Sequence, residues 1–592
     1  MLWAAVVTLA ASSTPLTHSG HRRDAVPSVD LGYEIHTATT NSTGQYHIFR
    51  NIPYAVQPVG DLRFSKPVLP IGSNSSVNNG SVNVMCMQAT PAWLLADEAI
   101  PYNISLAEIT EVLDNLAGQT EACLALDVYV PKGIFNNRTA TKAPVVVWIH
   151  GGGFTSGSKI AESNPAGLIA RSTLNNNEGL VYVAINYRLG LFGWLGGSDV
   201  TPNLGLYDQA VALQWVQKYI GLFGGDPKRV TVMGESAGAA SILHQVTAYG
   251  GATQLNFTQA IMQSPAFNAA HNLTISYELT MTEATRQTGN TISTMAELAA
   301  LDSATLKSIN EAVVYNASDT GFVYGPSPDG TYVPVLPQIL LAEGKFNHDV
   351  QVMVGHNSAE VLGIIHTNIT TQDDTVHFLE TFIPYASNAT IDYILDVLYP
   401  AANYSSELVR AAQIGTDSSM GCLTRYLGLA FNNSTYNYLF AIPPGYHAED
   451  VPYTFFNGNT STLDDGVAVS ETIAYALQDY LMGFAMTGDP NKSPTTAAVQ
   501  FPTYGSDAQV MAFTSAGLVT KTDDMDKPQC AWWQQAMIQG LFNSTTNATS
   551  TSKPAMSSKI PSSSTSRKSW ESGLLVGCAT LWAAWSNTAW LF

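Results

Sequence analysis

Five short apolar runs, rich in β-branched residues and each ending near Gly, Pro or Asn, most restrict what this chain can become. They are APVVVWIHGGG (143–153), LVYVAINYRLG (180–190), RVTVMGES (229–236), HDVQVMVGHNS (348–358) and YNYLFAIPPGYH (436–447). Runs this short and this continuously apolar read as strands buried on both faces, the habit of parallel sheets. Helical patterns lie between them. In LGLYDQAVALQWVQKYIGLFGG, Leu206, Ala210, Leu213, Val216 and Ile220 recur at helical spacing before a closing glycine pair. The alternation predicts an α/β architecture, a large and mostly parallel central sheet flanked by helices. Residues 275–345 and 365–430 read as mainly helical insertions forming a cap, and no internal repeat is found.

The chain has 592 residues, 45% of them hydrophobic and 12% charged, so it can bury a large core. Single cores usually stop growing near about 250–300 residues, so the length allows one very large domain or several. The net charge of −20 argues against a nucleic-acid partner, which needs basic patches.

Residues 1–20 carry an apolar run followed by small residues and are expected to be a secretory signal peptide. N-x-S/T sequons recur, including Asn41, Asn103, Asn256, Asn316, Asn388 and Asn543, as expected of a secreted glycoprotein. Of five cysteines, Cys86, Cys123, Cys422, Cys530 and Cys578, four could pair in three ways in an oxidising compartment. Residues 541–572 form a Ser/Thr-rich linker too polar to pack, and 573–592 are apolar almost to the last residue. Small residues, a polar spacer and an apolar tail make the pattern of a GPI-attachment signal, with attachment expected at Ser562, Ser563 or Ser564 and the tail, including Cys578, removed. A tail anchor and a buried terminal helix are the rival readings.

RVTVMGESAGAAS places Ser236 in G-x-S-x-G, a pattern that chance supplies in about one chain in three of this composition. The partners must therefore decide. Ligands of open α/β sheets sit beyond the carboxyl ends of strands, and an α/β-hydrolase requires the chain order Ser, acid, His. Only His366, His377 and His447 follow both Ser236 and a strand able to carry the acid. His366 and His377 lie on apolar periodic segments and read as packed or surface residues, whereas His447 lies in the Gly/Pro-rich loop PPGYHAEDVP after a strand. Glu360 ends the strand-and-turn VQVMVGHNSAE between the two; Glu449 and Asp450 come after the histidine and too near it to reach back. WIHGGGF supplies the oxyanion donors, expected to be the N–H groups of Gly152 and Gly153 with that of Ala237. Glu235 is expected to be structural, its side chain directed away from the serine. No phosphate-binding glycine motif is present, and no metal or cofactor is expected, since the chemistry needs none and no His/Cys cluster points to one.

At this point the chain resembles the type-B carboxylesterase and lipase family, which also contains the cholinesterases. The resemblance spans roughly residues 30–540 and rests on NIPYAVQPVGDLRF, EACLALDVYVP, WIHGGGF, NYRLGLFGWL, the long stretch 203–241, QSPAF, GHNSAE and GYHAEDVPY. It implies one α/β-hydrolase domain over 25–540 and Ser236, Glu360 and His447 as the triad. It also implies Cys86 paired with Cys123 and Cys422 with Cys530. Three departures stand out: Ala122 in place of an acidic residue, Asp127 in place of Asn, and Val361 where Gly usually follows the acid. The loop tryptophan, Trp93, lies near the first cysteine rather than the second, so choline-ester specificity is not supported.

The expected function is serine carboxylic ester hydrolysis through an acyl-enzyme, on a neutral small-molecule or lipid ester. SLAEITEVLDNLAG (105–118) has an apolar stripe at Leu106, Ile109, Val112, Leu113 and Leu116, expected to pack on the body; its alternative role is a mobile lipase lid. A cell-surface adhesion protein on the same fold is the other alternative, disfavoured because all three triad residues are retained. A fungal secreted or surface-anchored member, held to the membrane by the anchor, fits the sequons and the tail.

Overall fold

The structure, a computed structural model, describes residues 26–542 apart from 95–115, 162, 198, 267–272, 318–320, 366–367, 460–462, 465–466, 494 and 496–498. The expected signal peptide, the anchor region with Ser562 to Ser564, Asn103, Asn543 and His366 therefore lie outside the described residues. So does most of the amphipathic stretch after Trp93.

Eleven strands form the main sheet: β1 Thr39–Asn41, β2 Tyr46–Pro53, β3 Ala125–Pro131, β4 Ala143–Ile149, β5 Val181–Ile185, β6 Gly225–Glu235, β7 Gln259–Gln263, β8 Gln351–Asn357, β9 Tyr436–Ala441, β10 Gln509–Thr514 and β11 Gly517–Thr522. Their spatial order is β11-β10-β9-β8-β7-β6-β4-β5-β3-β2-β1. Seven strands, β5-β4-β6-β7-β8-β9-β10, run parallel, and the outer neighbours pair antiparallel. All five runs singled out by their β-branched residues are strands: β4, β5, β6, β8 and β9.

Alternation along these strands divides the core in two. Val145, Val147 and Ile149 of β4 join Val181, Val183 and Ile185 of β5 on one face. That face is covered by helices α1 Leu204–Tyr219 and α2 Ala237–Thr247, through Leu206, Leu213, Val216, Ile242 and Val246. Val146, Trp148, Ala184 and Met233 point to the other face, against Leu477, Leu481 and Phe484 of α3 Glu471–Thr487. A strand with apolar neighbours on both sides has no polar positions to spare, which explains the uninterrupted runs.

The order of β5, β4 and β6 places the site. The chain passes from β4 to β5 on one side, then returns to lay β6 on β4's other side, with Gly234 in register with Ile149. Loops leaving the carboxyl ends of β4 and β6 diverge there and leave a crevice. The next registers, Glu235 with Gln263, Gln263 with Gly355 and Asn357 with Phe440, bring the ends of β7, β8 and β9 into the same row.

Both disulfides implied by the resemblance are present, Cys86–Cys123 and Cys422–Cys530. Asp127 is fully buried and faces buried Lys159, with Nζ 3.1 Å from Oδ1, so a charged pair occupies the place of the usual neutral amide. Val361 is buried among Ile365 and Ile414. A Cβ on Gly415 would stand 2.8 Å from its Cγ1, so this glycine makes room for the valine. No helix among the described residues is long and apolar enough to cross a membrane.

Candidate active site

Ser236 sits between β6 and α2 with φ 54° and ψ −120°, a backbone conformation costly for a residue with a Cβ. The surroundings hold it there. Its N–H donates to Gln263 O at 2.9 Å, and its carbonyl accepts from Ala240 N–H at 2.9 Å. Gly238 lets the helix lie against β4: a Cβ there would stand 2.0 Å from Ile149 O. The strained turn lifts the hydroxyl out of the strand's line, toward the crevice.

The loop after β9 brings His447 to that hydroxyl. Ser236 Oγ lies 2.8 Å from His447 Nε2, and His447 Nδ1 lies 2.7 Å from Glu360 Oε2. Glu360 is fully buried, and its Oε1 accepts the Asn357 N–H at 2.6 Å. The acid's turn and the histidine's loop are tied directly, since Ala359 N–H donates to Gly445 O at 2.8 Å and Gly445 N–H donates to Glu449 Oε2 at 2.6 Å. Three residues separated by more than two hundred positions thus form one hydrogen-bonded line. The turn that holds Glu360 accommodates Val361 without displacing the acid, and the Val361 N–H donates to Thr416 Oγ1 at 3.2 Å.

Gly152 and Gly153 follow β4 at φ 101° and 59°, conformations open to glycine. The Gly152 carbonyl accepts from Thr155 and Ser156 N–H groups. Among the described residues, no backbone acceptor takes the N–H groups of Gly152, Gly153 or Ala237.

Glu235 corrects one expectation. Its side chain does not turn away: Oε1 stands 3.4 Å from His447 Nε2, and the carboxylate lies beside Gly151, whose Cβ would stand 2.7 Å from Oε2. Side chains alternate faces along a strand, which would set Glu235 opposite Ser236, but the turn at Ser236 ends that alternation. Burial pushes the His447 pKa down, while Glu235, Glu360 and Asp450 push it up, and the net result is about 9. Buried Asp450 accepts from Tyr438 O–H at 2.5 Å and from Gln263 Nε2 at 2.9 Å.

The remaining sequence candidates stay apart from this site. His377 is exposed on a helix, as read from the sequence. Among the sequons, Asn316 and Asn388 are exposed and Asn256 is half-buried. Asn41 Nδ2 donates to Tyr46 Oη at 3.0 Å. Sequence reasoning passed over Gln263 and Asn357, whose main-chain carbonyl and N–H hold the Ser236 backbone and the Glu360 carboxylate; QSPAF and GHNSAE contained them, but nothing local says what a main-chain group will bind.

Residues 32–533 match the sequence profile described as the Carboxylesterase family. The chain is 36% identical over 543 residues to "Carboxylesterase patB" of Aspergillus clavatus, a match covering 86% of this chain and 96% of that protein. It is 29% identical to "Secreted lipase 1" of Botryotinia fuckeliana, covering 83% of this chain and 89% of the lipase. The crystal structure of Aspergillus niger EstA has the same fold, with a TM-score of 0.72 and 23% identity over 87% of this chain and 99% of EstA.

Proposed function

The chain belongs to the carboxylesterase family and is a carboxylic ester hydrolase, and on that premise we propose that Ser236, His447 and Glu360 cleave the ester through an acyl-enzyme. The observation that carries this reading is the unbroken line from Glu360 Oε2 through the imidazole to Ser236 Oγ, at 2.7 and 2.8 Å. Neutral His447 accepts the serine proton at Nε2 as Oγ attacks the ester carbonyl, while Glu360 orients the ring and stabilises the imidazolium. The N–H groups of Gly152, Gly153 and Ala237 receive the developing oxyanion; loss of one such donor typically costs about 3–4 kcal/mol of barrier. His447 then protonates the leaving alcohol. Water attacks the acyl-enzyme by the same route and releases the acid and free Ser236.

The test is hydrolysis of p-nitrophenyl esters from acetate to palmitate by the wild type and by Ser236→Ala. The variant is expected to lose activity toward every ester; retained activity would remove Ser236 from the mechanism. The acyl-length profile separates an esterase from a lipase, the activity named in the Botryotinia relative.

The same relative is named as secreted, which together with the sequons and the N-terminal apolar run supports an extracellular location. Attachment by a glycolipid near Ser562 to Ser564 completes the proposal. Release of activity from cells by a phosphatidylinositol-specific phospholipase tests it.

A further inference from the structure

The first arm of the Cys86–Cys123 loop is stitched to the glycine loop that follows β4. Ala89 N–H donates to Thr155 O at 2.9 Å, and Gly157 N–H donates to Gln88 Oε1 at 2.9 Å. Seven residues past Cys86 stands Trp93, only 4% exposed. Its indole N–H donates to Gly321 O at 3.0 Å. Its ring meets Phe322 edge to face, with centroids 5.5 Å apart and planes at 75°. Phe322 in turn lies against Gly153: a Cβ on that glycine would stand 2.1 Å from the Phe322 Cε1.

These contacts close a circuit. It leaves the glycine loop through Thr155 and Gly157, passes along residues 88–93 to Trp93, and returns through Phe322 to Gly153. Each link is local, but together they hold one short backbone segment from two sides. Gly153 stands in that segment, and glycine backbones need outside support because they have so many alternative conformations. An edge-to-face ring pair adds attraction beyond its buried area, enough to bias a loop between conformers.

We propose that Trp93 is a positioning residue of the ester-cleaving site, holding Phe322 against Gly153 so that the Gly152 and Gly153 N–H groups stay aimed at the oxyanion. The assignment rests on the oxyanion role proposed above for those glycines. Trp93 touches no reacting atom; it acts through Phe322 and the Gly321 carbonyl. Its contribution therefore falls on the transition state, where donor placement matters, rather than on ground-state binding.

The test compares wild type, Trp93→Leu and Trp93→Phe. Active serines are counted by titration with a phosphonate ester, so that kcat refers to folded sites alone. A trifluoromethyl ketone, which adds Ser236 Oγ to its carbonyl and leaves an oxyanion in the donor site, reads donor placement directly. Trp93→Leu is expected to lower kcat per titrated site about tenfold and to weaken the ketone by a similar factor, with KM little changed. Trp93→Phe keeps the ring pair and loses the N–H donor, so it recovers most of both losses without reaching wild type. A lowered melting temperature with kcat and ketone affinity unchanged would mean packing alone and would overturn the assignment. Where Trp93→Leu yields no folded enzyme, Trp93→Phe decides: both readouts at wild-type values overturn the assignment. Ser236→Ala is titrated alongside and is expected to take up no phosphonate; uptake would bring down the reading of the site and this assignment with it.

Discussion

His447 is pressed from two sides, by burial that favours the neutral ring and by three carboxylates that favour the charged one. The carboxylates win, raising its pKa to about 9. A protonated ring cannot accept the Ser236 proton, so kcat/KM is expected to climb as pH rises and to level off only above about 9. Glu235→Gln removes the charge 3.4 Å from Nε2 and should move this rise to lower pH, while a profile that does not move would remove Glu235 from the balance. The same shift bears on stability. The pKa is raised from 6.5, so the contribution is complete below pH 6.5 and is lost as pH rises through about 9. Glu360→Gln keeps the shape of the acid and loses its charge and its hold on the Nδ1 proton. It should lower kcat by up to about 10⁴-fold in the ester assay.

The turn after β8 shows how an element absorbs an unusual residue. Val361 follows the acid where glycine is usual, and the compensation lies on another segment, in Gly415. Gly415→Ala would drive a methyl into the Val361 side chain and is expected to cost about 1–3 kcal/mol in urea denaturation. Val361→Ala should relieve most of that loss, giving a coupling of about 0.5–3 kcal/mol in the double-mutant cycle. Two strictly additive losses would show that the contact is slack. The elbow follows the same logic at shorter range, since Gly238 leaves room for Ile149 O exactly where α2 must approach β4.

At the scale of the molecule, two disulfides cross-link segments of different length, with sequence separations of 37 and 108. If loop entropy governs, opening Cys422–Cys530 by double alanine substitution should cost about 1 kcal/mol more than opening Cys86–Cys123. Equal losses in urea unfolding would point to native contacts around the bridges instead. The sheet itself is the larger constraint. Its parallel strands place five carboxyl ends side by side, which allows Ser236, Glu360, His447 and the glycine loop to meet although each comes from a different strand end.

How much of this was legible depends on where the information resides. The strands β4, β5, β6, β8 and β9 could be read directly, because burial on both faces leaves uninterrupted apolar runs. Strands β2 and β3 are broken by polar residues such as Arg50, Asn51 and Asp127, and the outer strand β11 carries Thr520, Lys521 and Thr522 at its solvent edge, so neither pattern declared itself. The elbow, the glycine loop and the order of serine, acid and histidine are local or sequential features, and residues alone determine them. The strand order that sets β6 beside β4, the side to which Glu235 turns, the glycine that accommodates Val361 and the circuit from Trp93 to Gly153 belong to the tertiary structure. Each depends on a partner distant in sequence or on a backbone turn that breaks strand alternation, and side-chain periodicity tells which face a residue occupies, never what waits there.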